Sequence, residues 1–201
     1  MNVPAIFLYL LLACLAAYLL GSIPFGYVFA KTFCGRDPRL EGSKNVGATN
    51  VARLCGLPFG ILTLVCDALK GLLPTWYALA AFDPRTASVV AFCALLGHMY
   101  SPFLRFRGGK AVATTVGVFI PLSFPALLVS AALCLAVIGL TRIVSLGSLT
   151  LAASLPVCLA VLGRWDIFPM AVVVMLVIFV KHRENIKRLL AGTEKKLGRR
   201  D

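Results

Sequence analysis

Three stretches of the sequence gather residues that could handle an anion or move a proton. Residues 40–56, LEGSKNVGATNVARLCG, set Ser43, Asn45, Gly47, Thr49 and Asn50 among the cations Lys44 and Arg53. Glycines let backbone N–H groups converge, short Ser, Thr and Asn side chains add partners, and the cations supply charge-assisted bonds, a combination suited to phosphate. The same composition suits a flexible connecting loop whose cations only set membrane orientation, and Thr49 or Asn50 could cap a following helix. Residues 97–115, GHMYSPFLRFRGGKAVATT, place Gly108 and Gly109 directly before Lys110 at the start of an expected helix, where an anion is favoured. This is not a P-loop, because GxxxxGK would require glycine where Leu104 stands. A basic, aromatic stop at a membrane surface is the plainer reading. In residues 181–192, KHRENIKRLLAG, a continuing helix would put His182, Asn185 and Leu189 on one face with Arg188 at its flank. A neutral imidazole accepts a proton, Asn bonds either substrate, and Arg grips phosphate in a fork; an interfacial amphipathic tail is the alternative. Ser145, in TRIVSLGSL near Arg142, reads by itself as a helix N-cap.

What is missing narrows the chemistry. Neither histidine opens an HxxxxD motif, since Phe103 follows His98 and Lys187 follows His182 at that spacing. The acids Asp37, Glu41, Glu184, Glu194 and Asp201 are dispersed, so no paired acidic metal cluster is expected. The seven cysteines show no CxxC spacing and fall mostly in apolar runs, so neither a disulfide framework nor a metal site is expected.

The elements that must position these residues are membrane helices. Of 201 residues, 60% are hydrophobic and 14% charged, with a mean hydropathy of +0.91, whereas soluble domains carry about 25% charged residues. Charge-poor runs cover residues 4–30, 57–82, 87–104, 111–140, 146–163 and 167–180. A span needs about 20 apolar residues, so the run 111–140 is one over-long helix or two short ones meeting near Pro121, Ser123 and Pro125. The hairpin places 17 of the 20 Lys and Arg residues on one side, as the positive-inside rule asks. The expectation is therefore an all-α polytopic protein with seven transmembrane helices, its N-terminus outside and its C-terminus cytoplasmic. Residues 1–201 read as one domain, without repeats. The net charge of +12 is then mostly an orientation signal, and nucleic acid is not an expected partner. GSIPFG, residues 21–26, predicts a kink or unwound turn, serving either packing or a cavity wall. Asp67 and Lys70, three residues apart inside a span, read as a mutually neutralising pair that orients the bundle or takes part in function.

GSIPFG, GSKNVGATNVAR, GHMYSPFLRFRGGKAVAT, SLGSL and HRENIKRL, in this order, resemble the bacterial acyl-phosphate:glycerol-3-phosphate acyltransferase family, the PlsY type. The resemblance covers essentially the whole chain. It implies transfer of a fatty acyl group from acyl phosphate to the 1-hydroxyl of glycerol 3-phosphate at the bacterial cytoplasmic (inner) membrane, without cofactor or metal. Carried onto this sequence, it implies that Ser43, Asn45, Gly47, Thr49, Asn50, Gly108, Gly109 and Lys110 hold acyl phosphate. Arg53 and Arg188 would take glycerol 3-phosphate, and Ser145, His182 and Asn185 would line the reaction centre. Two alternatives stand beside it: a membrane anion transporter, against which the lack of two matched broken-helix halves counts, and an acyltransferase using acyl-CoA.

Overall fold

A computed structural model of the chain describes residues 3–197; Arg199, Arg200 and Asp201, counted above among the tail charges and acids, lie outside them. The apolar runs become helices and, among the described residues, no strand occurs. The order is α1 (Val3–Ser22), α2 (Phe25–Cys34), α3 (Ala48–Cys55), α4 (Leu57–Ala81), α5 (Pro84–Met99), a 3₁₀ turn (Pro102–Leu104), α6 (Val112–Leu122), α7 (Phe124–Thr141), α8 (Val144–Val161), α9 (Phe168–Lys181) and α10 (Arg183–Leu190). Five stretches are long and apolar enough to cross a bilayer: Val3–Cys34, Leu57–Ala81, Pro84–Leu104, Phe124–Thr141 and Val144–Val161. The apolar helices α6 and α9 are shorter, at 11 and 14 residues. The long run divides at Ser123, where Pro125 opens the first turn of α7. GSIPFG interrupts the first apolar stretch at Ile23 and Pro24, between α1 and α2.

The chain forms two compact units, Met1–Leu122 and Ser123–Asp201. In the first, α1 packs on α5 and α4 packs on α6. Both contacts depend on missing side chains: a Cβ on Gly21 would strike the Ala94 carbonyl, and one on Gly97 the Tyr18 carbonyl. Likewise Gly117 lies against the Ala68 carbonyl and Gly71 against that of Thr114. Small residues that let helix backbones touch are the usual packing device where lipid removes the hydrophobic drive between helices. Outward, α1 exposes Phe7, Leu8, Leu11, Leu12 and Leu15, an apolar surface suited to contact with lipid. In the second unit α8 packs on both α7 and α9, and α10 follows α9.

Two expectations about local structure are corrected. Cys34 and Cys55 form a disulfide; the loop between them folds back so that the ends of α2 and α3 meet, which linear spacing cannot reveal. The last helix does not run straight on either. The His182 N–H is shared between the Ile178 and Phe179 carbonyls, at 2.9 and 3.1 Å, and this tightened turn separates α9 from α10.

Candidate active site

In the first unit, residues 36–47 form a loop organised by one side chain. Asn50 is 1% exposed; its amide nitrogen donates to the Pro38, Glu41 and Asn45 carbonyls, and its oxygen accepts from the Ser43 N–H at 2.8 Å. Neither Thr49 nor Asn50 caps α3, whose N-cap is Gly47 without a side-chain bond; α3 begins before them, and Asn50 is spent on the loop instead. Ser43 and Lys44 stay exposed, Asn45, Gly47 and Thr49 are half-buried, and Lys44 has a left-handed backbone, φ 54°. Arg53 stands exposed on the last turn of α3. Arg39 is held away from this group: it pairs with Asp37 at 2.7 Å and lies over the Tyr27 ring. The Arg39 hydrogen bonds pull the Asp37 carboxyl down to about 2.

The RGGK segment is a tight return from α5 to α6. The Gly108 and Gly109 N–H groups donate to the Met99 and His98 carbonyls, at 3.2 and 3.0 Å. Their contribution is therefore close approach, since a Cβ on Gly108 would meet the His98 carbonyl and one on Gly109 the His98 ring. Lys110 follows, half-buried, and Ala111 turns through φ 60° before α6 begins at Val112.

In the second unit, Ser145, Asn185 and Arg188 converge on one carboxylate. Glu194 accepts from the Ser145 hydroxyl at 2.7 Å and the Asn185 amide at 2.5 Å through Oε1, and from Arg188 Nε at 2.6 Å through Oε2. Burial works to raise the Glu194 carboxyl, but the bonds from Ser145, Asn185 and Arg188 together hold it below the usual range. Ser145 is thus no N-cap: that position is Ile143, and the hydroxyl reaches the tail instead. His182 is buried, and its Nδ1 sits 2.9 Å from the Ile178 carbonyl. A carbonyl can only accept, so this contact puts the proton of a neutral ring on Nδ1 and makes Nε2 the basic nitrogen.

Residues 11–192 match the family model described as glycerol-3-phosphate acyltransferase. The chain belongs to the glycerol-3-phosphate acyltransferase family. A relative of that name from Nitratidesulfovibrio vulgaris is 59% identical over 180 residues, covering 89% of this chain but 55% of the relative, so the chain spans about half of that protein's length. One from Desulfovibrio desulfuricans is 56% identical, with 89% of this chain and 81% of the relative covered. Among solved structures, PlsY, described as an integral membrane glycerol 3-phosphate acyltransferase, matches in its glycerol 3-phosphate form with a TM-score of 0.91 and 41% identity, covering 94% of this chain and 96% of the other. Its lysophosphatidic acid form matches with a TM-score of 0.88 and 39% identity, over the same shares. Family membership and the apolar helices make this chain an acyltransferase and a multi-pass protein of the bacterial inner membrane.

In the sequence Glu194 is one of several dispersed acids, yet in the fold Ser145, Asn185 and Arg188, three expected site residues, gather on it. The available signal was Gly192: at φ 69° it turns the chain back, with Thr193 N–H donating to the Arg188 carbonyl, so an acid two residues past that glycine returns toward α10. The Asp67 and Lys70 pair forms as expected, at 2.8 Å with both side chains buried.

Proposed function

We propose that the protein transfers a fatty acyl group from acyl phosphate to the 1-hydroxyl of glycerol 3-phosphate, giving 1-acylglycerol 3-phosphate and inorganic phosphate. The observation that carries this reading is the near-complete likeness to PlsY structures in glycerol 3-phosphate and lysophosphatidic acid forms, whose names supply one substrate and the product class. An acyl phosphate is a mixed anhydride and already activated. The hydroxyl oxygen bonds to the acyl carbon, the bond from that carbon to the bridging phosphate oxygen breaks, and phosphate leaves with the electron pair. The enzyme's task is then to bring two like-charged anions together and neutralise their repulsion.

In this reading Ser43, Asn45, Gly47, Thr49 and Lys110 hold the acyl-phosphate group. Asn50, Gly108 and Gly109 serve it by shaping the loop and the turn. Arg53 and Arg188 take the glycerol 3-phosphate dianion. Glu194 occupies only Nε of Arg188, which fixes the plane of a guanidinium that carries five N–H donors in all. Ser145 and Asn185 orient the hydroxyl, and His182 Nε2 accepts its proton, a role that its Nδ1 contact supports. The chain acts as one catalytic domain with seven spans, α6 and α9 included, between an outer N-terminus and a cytoplasmic C-terminus.

The test is to supply protein reconstituted in lipid with glycerol 3-phosphate and either acyl phosphate or acyl-CoA, and to measure lysophosphatidate. Product from acyl phosphate alone is the expected result. Product only from acyl-CoA would replace the donor, and product from neither would overturn the activity. His182→Ala should lower kcat by about 100-fold, the usual scale for a general base; retention of most of kcat would move the proton to the leaving phosphate instead.

A further inference from the structure

Beneath the RGGK turn the first unit contains a buried polar chain that the chemistry above does not use. Lys70 Nζ, on α4, bonds Asp67 Oδ1 at 2.8 Å and also donates to the Ile23 carbonyl at 3.0 Å. Ile23 lies in the GSIPFG break, and its carbonyl accepts from the Phe25 N–H at 3.1 Å as well as from the lysine, so Lys70 anchors the break to α4. Across from it, His98 Nδ1 on α5 is 3.7 Å from the same Asp67 oxygen. The opposite edge of that imidazole occupies the space where Gly109 lacks a side chain. A second strut runs parallel, with the Ser101 hydroxyl donating to the Ser22 carbonyl at 2.6 Å. Asp67, Lys70 and His98 are 2%, 3% and 6% exposed. They border a small cavity of ≈ 10 Å³ whose wall also includes Ser22 and Ser101 and the apolar Pro24, Phe25 and Leu104.

We propose that Lys70, Asp67 and His98 are positioning residues that tie the GSIPFG break to the RGGK turn and thereby set the place of Lys110. Lys70 bonds the break, Asp67 faces the His98 imidazole on α5 across 3.7 Å, an electrostatic contact longer than a hydrogen bond, and the His98 ring packs on Gly109. A pair serving only to neutralise charge would need neither the Ile23 contact nor an imidazole wedged against the turn. The glycine at 109 follows from the same arrangement, because only a residue without Cβ lets the turn sit on the ring. This inference rests on the reading of Lys110 as a ligand of acyl phosphate.

The double variant Asp67→Asn/Lys70→Met removes both charges at once, so no buried ion is left uncompensated. If neutralisation is the pair's whole role, this variant behaves as wild type. If the chain positions the turn, the Gly108 and Gly109 amides exchange with deuterium about tenfold faster in lipid-reconstituted protein. The KM for acyl phosphate then rises about tenfold while the KM for glycerol 3-phosphate stays within about twofold. Faster exchange with unchanged kinetics would uphold the positioning chain and overturn the reading of Lys110. Wild-type exchange would overturn the proposal. Should the double variant not assemble, His98→Ala and His98→Gln decide the matter: the Gln side chain can place its amide near the Nε2 position that abuts Gly109 and should restore the exchange protection that Ala loses. Equal exchange in the two variants would overturn it.

Discussion

Glu194 shows how one residue can order several. Its carboxylate touches a serine on α8, an asparagine and an arginine on α10, so three side chains of different reach are fixed by a single group. Glu194→Ala should cost about 2 kcal/mol, the scale of hydrogen bonds to a charged group, and reduce kcat/KM for glycerol 3-phosphate more than for acyl phosphate; steady-state kinetics on both substrates checks this. The pH dependence has a definite sign. Because the Glu194 carboxyl is held below its ordinary value, ionised Glu194 adds stability above the unfolded value of about 4.3, and that stability is lost as pH falls through the lower folded value. Thermal unfolding in detergent should therefore be insensitive to this group between about pH 6 and 8. Its acid-side decline should be shallower in Glu194→Gln than in the wild type; identical slopes would show that the cluster does not hold the carboxylate.

At the scale of elements, the breaks were legible and the returns were not. Pro121, Ser123 and Pro125 announce the division between α6 and α7, and GSIPFG announces that between α1 and α2, because backbone constraint is a local property. The Cys34–Cys55 bond and the hub at Glu194 depend on where a loop or tail comes back to, and no local pattern encodes that. The same holds for Asn50: its type suggested a cap or a ligand, whereas three carbonyls and one N–H of the returning loop occupy its amide. The disulfide closes a 21-residue separation around this loop. Cys34→Ala should lower stability by about 3 kcal/mol, the typical value for closing such a loop, and reductant should have the same effect on wild type but none on the variant, as read from Tm. Helix contacts make a sharper demand. Gly117→Val would drive a branched side chain into the Ala68 carbonyl, part α4 from α6, and cost at least the 1–3 kcal/mol typical of overpacking; recovery of folded protein after detergent extraction measures it.

The molecule as a whole is described by where its charge lies. Lys70 is buried in α4 beside Asp67, and Arg164 pairs with Asp166 at 2.9 Å, so two of the three cations outside the predicted cytoplasmic set are neutralised nearby. The remaining 17 cations are confined to residues 31–53, 105–110 and 142 and to the segment from 181 onward. An odd number of spans puts all four segments on one side, whereas six would divide the tail from the first loops across the bilayer, against the charge rule. In the proposed seven-span arrangement the cost would fall on α6 and α9, which at 11 and 14 residues extend about 17 and 21 Å, short of a hydrocarbon core about 30 Å thick. Short spans are accommodated by local thinning of the bilayer and by flanking residues that reach the interface, and α9 has Trp165 before it and Lys181 at its end. The expected outcome is therefore that a cysteine introduced at Lys196 is labelled by a membrane-impermeant maleimide only in inverted vesicles, and one at Arg85 only in right-side-out vesicles. Labelling of both from the same side would remove one of the short spans and return the count to an even number.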